Sequence, residues 1–206
     1  MRVRVLLFCC LVLTLAASPQ SASAAQPAGV TDNRADLDFP NTITFHAAIQ
    51  SDSLIDSVAL EYGTQQLTCG DVIALSFPEF APGKSVDVDW TWDMRQSGSL
   101  PPGTSIWWRW RYTDASGVET VSEENTILWL DSQHHWEMIT GNSVWLHWYT
   151  GSKAFAQDLL NAATSGLARL KTDTGLAPVQ PIDLYIYGNT TDMRDAILFE
   201  PGWTGG

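Results

Sequence analysis

The tightest constraint on this chain is a two-residue period that runs through two tryptophan-rich stretches. Val86, Val88, Trp90 and Trp92 alternate with Asp87, Asp89, Thr91 and Asp93. Ile106, Trp108, Trp110 and Tyr112 alternate with Trp107, Arg109 and Arg111. Successive side chains of a strand leave opposite faces, so each stretch reads as a strand with one buried and one wet face. Such half-buried strands need a second sheet or a helix layer to cover them.

Shorter strands with turn signals surround these two. Ile43, Phe45 and Ala47 alternate with Thr44, His46 and Ala48, and Leu54 to Tyr62 alternates loosely. Ser99-Leu100-Pro101-Pro102-Gly103 is a turn, and Asp114-Ala115-Ser116-Gly117 is a hairpin turn into Val118 to Val121. Thr126 to Leu130 closes the series. About seven short strands in about 90 residues predict a fibronectin- or immunoglobulin-like β-sandwich over residues 41–131. Residues 25–40 are polar and without period, and read as a flexible lead-in.

Residues 1–24 read as a secretory signal. Arg2 and Arg4 precede an apolar run from Val5 to Ala17, and Ala22-Ser23-Ala24 is a cleavage site. The run is short for a membrane span, so the expected location is secreted or extracellular, the cell envelope included, with no membrane association after cleavage. Cys9 and Cys10 leave with the leader, and Cys69 alone forms no internal disulfide. The mature fold then depends on its apolar core. The formal net charge is −12. Removing Arg2 and Arg4 leaves 9 of the 11 basic residues against 23 acidic ones, a net of −14. That charge argues against nucleic acid or an anionic membrane as partner.

After Asp131 the pattern changes. His134 to Ile139 and Ser143 to Tyr149 read as strands around a Thr140-Gly141-Asn142 turn. A helix follows, capped by Ser152, with Phe155, Leu159, Leu160, Ala163, Leu167 and Leu170 on one face. Gly166 inside it suggests a close helix–sheet contact, Arg169 and Lys171 suit its last turn, and Gly175 and Pro178 end it. Ile182 to Tyr187 reads as a strand, and Thr191 to Phe199 as a helix stopped by Pro201. Residues 132–206 are therefore the start of an α+β domain, and the missing sheet edge after Gly206 predicts marginal stability for them alone.

Side chains with chemistry are scattered. Nine of the ten tryptophans lie between Trp90 and Trp148. They serve as the core of a disulfide-free sandwich, as an interface with the next domain, or as a sugar-stacking platform. Trp107 points away from the others, on the face of Arg109 and Arg111, and is the candidate exposed aromatic. Asp87, Asp89 and Asp93 share a strand face, which supplies too few oxygens for calcium. Glu119, Glu123 and Glu124 read as solvated. Among His46, His134, His135 and His147, only His135 and His147 are placed to pair across the hairpin, and no third metal ligand accompanies them. The chain has no H-E-x-x-H, Walker A, G-x-G-x-x-G, G-x-S-x-G or C-x-x-C pattern.

The order of the softer motifs is familiar. Thr44-Phe45-His46-Ala47, Trp90-Thr91-Trp92-Asp93-Met94, Leu100-Pro101-Pro102-Gly103, Trp129-Leu130-Asp131, Trp148-Tyr149-Thr150-Gly151, Arg194-Asp195-Ala196 and Gly202-Trp203-Thr204-Gly205-Gly206 follow one another. Together they resemble the N-terminal part of secreted bacterial peptidase MA-like proteins, which are gluzincin-type zinc metallohydrolases. The resemblance runs from about Asn41 to the end. It implies a zincin-like α+β domain, a peptide or protein substrate, and zinc in the full-length family. It also implies an edge strand and an H-E-x-x-H helix after the Trp-Thr-Gly-Gly turn, so this chain stops short of the catalytic residues. No catalytic residue or metal ligand carries over, and the chain is expected to be inactive alone and to hold no catalytic zinc. Trp203, Thr204, Gly205 and Gly206 carry over as the approach to the substrate-side strand. The competing reading is a secreted tryptophan-rich binding module for a glycan or cell-surface partner.

Overall fold

The computed structural model describes residues 28–65, 73–98 and 100–197. The first part is built from strands β1 (Gly29–Asp38), β2 (Thr42–Gln50), β3 (Ile55–Thr64), β4 (Ala74–Ser76) and β5 (Ser85–Asp93). A single helical turn, α1 (Met94–Ser97), precedes β6 (Thr104–Asp114), β7 (Glu119–Val121) and β8 (Asn125–Trp129). One sheet has the order β1-β2-β5 and the other β4-β3-β6-β7, with β8 also paired to β6. β7 and β8 share one edge of β6, β8 along Thr104–Trp108 and β7 along Arg111–Thr113.

The alternation dictates what meets between the sheets. Ile43, Phe45, Ala47 and Ile49 of β2 and Val86 and Val88 of β5 form one core with Leu60 of β3 and Ile106, Trp108, Trp110 and Tyr112 of β6. Phe45 joins the two sheets directly. Its ring lies 6.2 Å from Trp90 in its own sheet and 5.4 Å from Trp108 in the other. Trp110 and Trp129 are fully buried, and Trp90 and Trp92 are half-buried against the same core. An indole buries about 200 Å² on folding, worth roughly 5 kcal/mol before conformational entropy is subtracted.

The polar segment before Asn41 is a strand rather than a flexible lead-in. β1 pairs antiparallel with β2 from Gly29↔Gln50 to Asp38↔Thr42. Val30, Ala35 and Leu37 pack on the core, while Asp32, Asp36 and Asp38 face solvent. A register shift between Thr31 and Arg34, with Asp32 at φ 48°, breaks the two-residue period. That bulge hides the alternation in the sequence. Asn33, beside the bulge, has a specific use: its Oδ1 accepts from Trp108 Nε1 at 2.8 Å and from Trp110 Nε1 at 3.2 Å.

The second part consists of β9 (Glu137–Thr140), β10 (Val144–Trp148), α2 (Lys153–Thr174), β11 (Ile182–Ile186) and α3 (Thr190–Ala196). Its sheet has the order β11-β10-β9, with β9 antiparallel and β11 parallel to β10. A parallel pair requires a crossover, and α2 supplies it. Ser152 caps α2 through its Oγ, which accepts from Phe155 N, and Gly175 closes it in the left-handed conformation. Val144, Leu146 and Trp148 are buried with Ala156 and Leu160 of α2, and Leu159, Ala163 and Leu167 pack around them.

Two expectations for the helix do not hold. Phe155 and Leu170 are about half exposed, because α2 rests on the sheet through a narrower stripe than its apolar positions suggest. Gly166 meets nothing and is exposed, so no close contact explains it.

Two outcomes test this account. Asn33→Ala leaves two buried indole N–H groups without their acceptor, and an unsatisfied buried donor costs about 1–3 kcal/mol. A stability loss of roughly 2 kcal/mol is expected in denaturant unfolding. The second test uses acid. Asp93 accepts from Arg95 N at 2.9 Å and pairs with its Nε at 2.8 Å and Nη2 at 2.8 Å. Hydrogen bonds from Arg95 hold its carboxyl down to about 2 from the usual 3.8, against the opposing effect of desolvation. A depressed carboxylate contributes stability above its unfolded value, and that contribution is lost as pH falls from 3.8 to about 2. Asp93→Asn is expected to flatten acid unfolding in that window, read by fluorescence.

Candidate functional site

The strand β10 decides where the polar side chains of the second part go. Its even-numbered residues face α2, so Trp145 and His147, and Tyr149 just beyond the strand, take the other face. Parallel pairing with β11 brings Asp183 beside Trp145 and Tyr185 beside His147. His147 Nε2 lies 2.7 Å from Asp183 Oδ1, and its ring stacks on Tyr185 at 4.3 Å. His147 therefore does not pair with His135. Met138 stands opposite it in the hairpin, and His135 is exposed ahead of β9.

Trp136 organises the next layer. Its indole donates to Asp131 O at 3.0 Å, and its ring meets Tyr149, Tyr185 and Tyr187 edge-on at 5.0, 5.4 and 5.2 Å. His134 stacks on Tyr149 at 3.8 Å, within 3° of parallel. Its Nε2 lies 3.4 Å from Asp131 Oδ2 and 3.9 Å from Asp192 Oδ2. Tyr149 donates to Asp192 Oδ2 at 2.5 Å and accepts from Gly188 N at 2.7 Å. Asn189 caps α3 by accepting from Asp192 N and also donates to Asp192 Oδ2. Asp192 is thus held by its own helix cap and by Tyr149 together.

This aromatic layer touches the first part of the chain. Tyr185 lies directly against Gly103, at φ 84°, where any Cβ would overlap its ring. A cleft of about 180 Å³ opens between Phe39 and Pro40 on one side and His134, Asp192 and Asp195 on the other, with Asp131 in its wall. Among the described residues no group of three or more His, Cys, Asp or Glu side chains is arranged to hold a metal ion.

The remaining sequence candidates are spread out. Asp87 and Asp89 are exposed on β5, Asp93 caps α1, and Glu119 pairs with Arg111. Glu123 and Glu124 are exposed. His46 lies 3.2 Å from Asp36 on β1. Trp107 is half-buried on the outer face of β6. Cys69, the four residues Trp203, Thr204, Gly205 and Gly206, and residues 1–27 lie outside the described residues. The cluster of Asp131, His134, Tyr149 and Asp192 was not legible in the sequence. Its members are brought together by the hairpin and crossover, and no spacing announces that.

Comparison with known families adds one finding. The model of the Peptidase MA superfamily matches residues 162–206. The match begins within α2, runs through β11 and α3 and continues past the described residues. Over this stretch, less than half of the chain, the sequence is similar to the Peptidase MA superfamily. No curated protein matches the chain.

The phenols offer a direct test. Burial, with the Asp183 charge added, pushes Tyr185 up to about 12, and burial raises Tyr187 and Tyr149 as well. A raised phenol contributes stability that is complete below its unfolded value of 10.0 and is lost as pH climbs through the folded value. Ultraviolet titration is expected to show late-ionising tyrosines, with alkaline unfolding setting in between pH 10 and 12. Complete ionisation of the tyrosines near pH 10 in a folded chain contradicts the packing described.

Proposed function

We propose that the chain carries the N-terminal part of a secreted bacterial peptidase MA-like protein of gluzincin type. A fibronectin- or immunoglobulin-like sandwich leads into the first elements of a zincin-like domain. The observation that supports this reading most is the Peptidase MA superfamily match over residues 162–206. A three-stranded sheet with one long helix on it is consistent with the opening of such a domain, and the leader at residues 1–24 supports secretion.

The chemistry follows from the class. In the full-length family two histidines and a glutamate hold zinc and leave one position for water, and the motif glutamate takes its proton. An extended peptide or protein substrate lies along an edge strand by main-chain hydrogen bonding. The described residues do not fit a zinc site, and the 206 residues contain no H-E-x-x-H. Peptide hydrolysis is therefore assigned to a segment with that motif. The role proposed for this chain is to build the sheet that leads to it, with Trp203, Thr204, Gly205 and Gly206 as the approach.

Two measurements test the assignment. The purified 206-residue chain, supplied with zinc, is expected to leave casein intact with or without chelator. Chelator-sensitive cleavage overturns the assignment of catalysis to another segment. Reading the encoding locus past the Gly206 codon is expected to show an apolar strand and an H-E-x-x-H helix in frame. A frame without them overturns the peptidase reading.

A further inference from the structure

At the edge away from β1 the sandwich is open. β5 ends one sheet there and β4 ends the other. Tyr62 and Thr64 of β3, Ala74 of β4, Trp92 of β5, Ser97 of α1 and Leu100 line a cavity of about 310 Å³ between them. Small-molecule sites begin at about 300 Å³ and are walled mostly by apolar and aromatic side chains.

Two rings form the walls, and both are fixed by their own packing. Tyr62 and Trp92 meet edge-on, with centroids 5.0 Å apart and planes at 60°. Tyr62 also packs on Trp90 at 4.8 Å and on Phe45 at 5.9 Å. Trp92 Nε1 donates to Ser97 Oγ at 2.7 Å. The walls therefore stand in place before a ligand arrives, which lowers the ordering cost of binding. Two hydroxyls accompany them. Among the described residues neither the Tyr62 nor the Thr64 hydroxyl makes a hydrogen bond. Burial raises the Tyr62 phenol above its ordinary 10.0, so it stays a neutral donor. No charged side chain lines the cavity among the described residues.

The charge balance selects the ligand. An anion finds no cation here and meets a chain of net charge −12. A cation finds no carboxylate in the walls. What fits is a neutral molecule with one apolar face for the rings and hydroxyls for the two unpaired hydroxyls. A β-glucopyranose has that form, with its C–H bonds axial and its hydroxyls equatorial. We propose that this cavity binds a neutral pyranose unit of a β-linked glucan. Its C–H face lies against the Tyr62 and Trp92 walls, and its hydroxyls bond to Tyr62 Oη and Thr64 Oγ1. The proposal does not rest on the peptidase reading, since it concerns only the first part of the chain.

Calorimetry on the full chain tests it, with cellotetraose and the anionic tetragalacturonate as probes. Cellotetraose is expected to bind saturably with Kd below about 1 mM, and at least about tenfold more tightly than the uronate. Trp92→Ala is expected to weaken binding about tenfold by removing one wall. Tyr62→Phe and Thr64→Val keep the shape and each lose one hydroxyl, and each is expected to weaken binding about threefold or more. Trp145→Ala, an exposed indole of the second part, is expected to leave affinity unchanged. Absence of saturable binding overturns the proposal, as does equal affinity for the two probes or a loss of binding in Trp145→Ala. Should Trp92→Ala fail to fold by circular dichroism, Tyr62→Phe and Thr64→Val decide, and unchanged affinity in both overturns it.

Discussion

Everything in the first part of the molecule depends on large rings meeting between two sheets. With Phe45 wedged between Trp90 and Trp108, neither sheet can shift by one residue without turning its indoles into water. The period of two fixes register more firmly when the buried residues are tryptophan than when they are alanine, because each ring carries several kilocalories of burial. Such rings also bring polar atoms inward. Asn33 answers two of them, for Trp108 and Trp110. The indole nitrogens of Trp129 and Trp148 have no partner among the described residues.

The requirement for acceptors explains why a polar segment belongs to an apolar core. β1 is an edge strand, and its outward aspartates and its bulge suit that position, since both discourage pairing with another chain. Its inward residues are few and the bulge breaks their spacing, so they give little sequence signal. The same reasoning applies on a larger scale to the second part. There the sheet is three strands wide, and one helix covers it through a narrow stripe. Phe155, Leu170, Leu176 and Val179 remain exposed.

Between the two parts, aromatic rings and carboxylates make the contacts that bear on the cleft. Tyr185 seats on Gly103, Trp136 reaches back to the Asp131 carbonyl, and His134 lies between Asp131 and Asp192. Tyr149 ties this arrangement to α3 through Asp192 and Gly188. The layer therefore holds the peptidase MA-matched elements β11 and α3 against the linker that leaves the first part.

The sequence by itself determined β2, β5, β6, β10 and α2, along with the inward face of β2, β5 and β6. In these elements the period is strict or the cap is explicit, as with Ser152 and Gly175. It also determined that Trp108 and Trp110 lie on the opposite face from Trp107. Only the tertiary structure decided the membership of β1, the rejection of a His135–His147 pair, and the gathering of Asp131, His134, Tyr149 and Asp192. The reason is range: local periodicity records which way one side chain points. Bulges, parallel pairing across a crossover helix and contacts such as that between His134 and Asp192, 58 positions apart, are set by packing that no local pattern encodes.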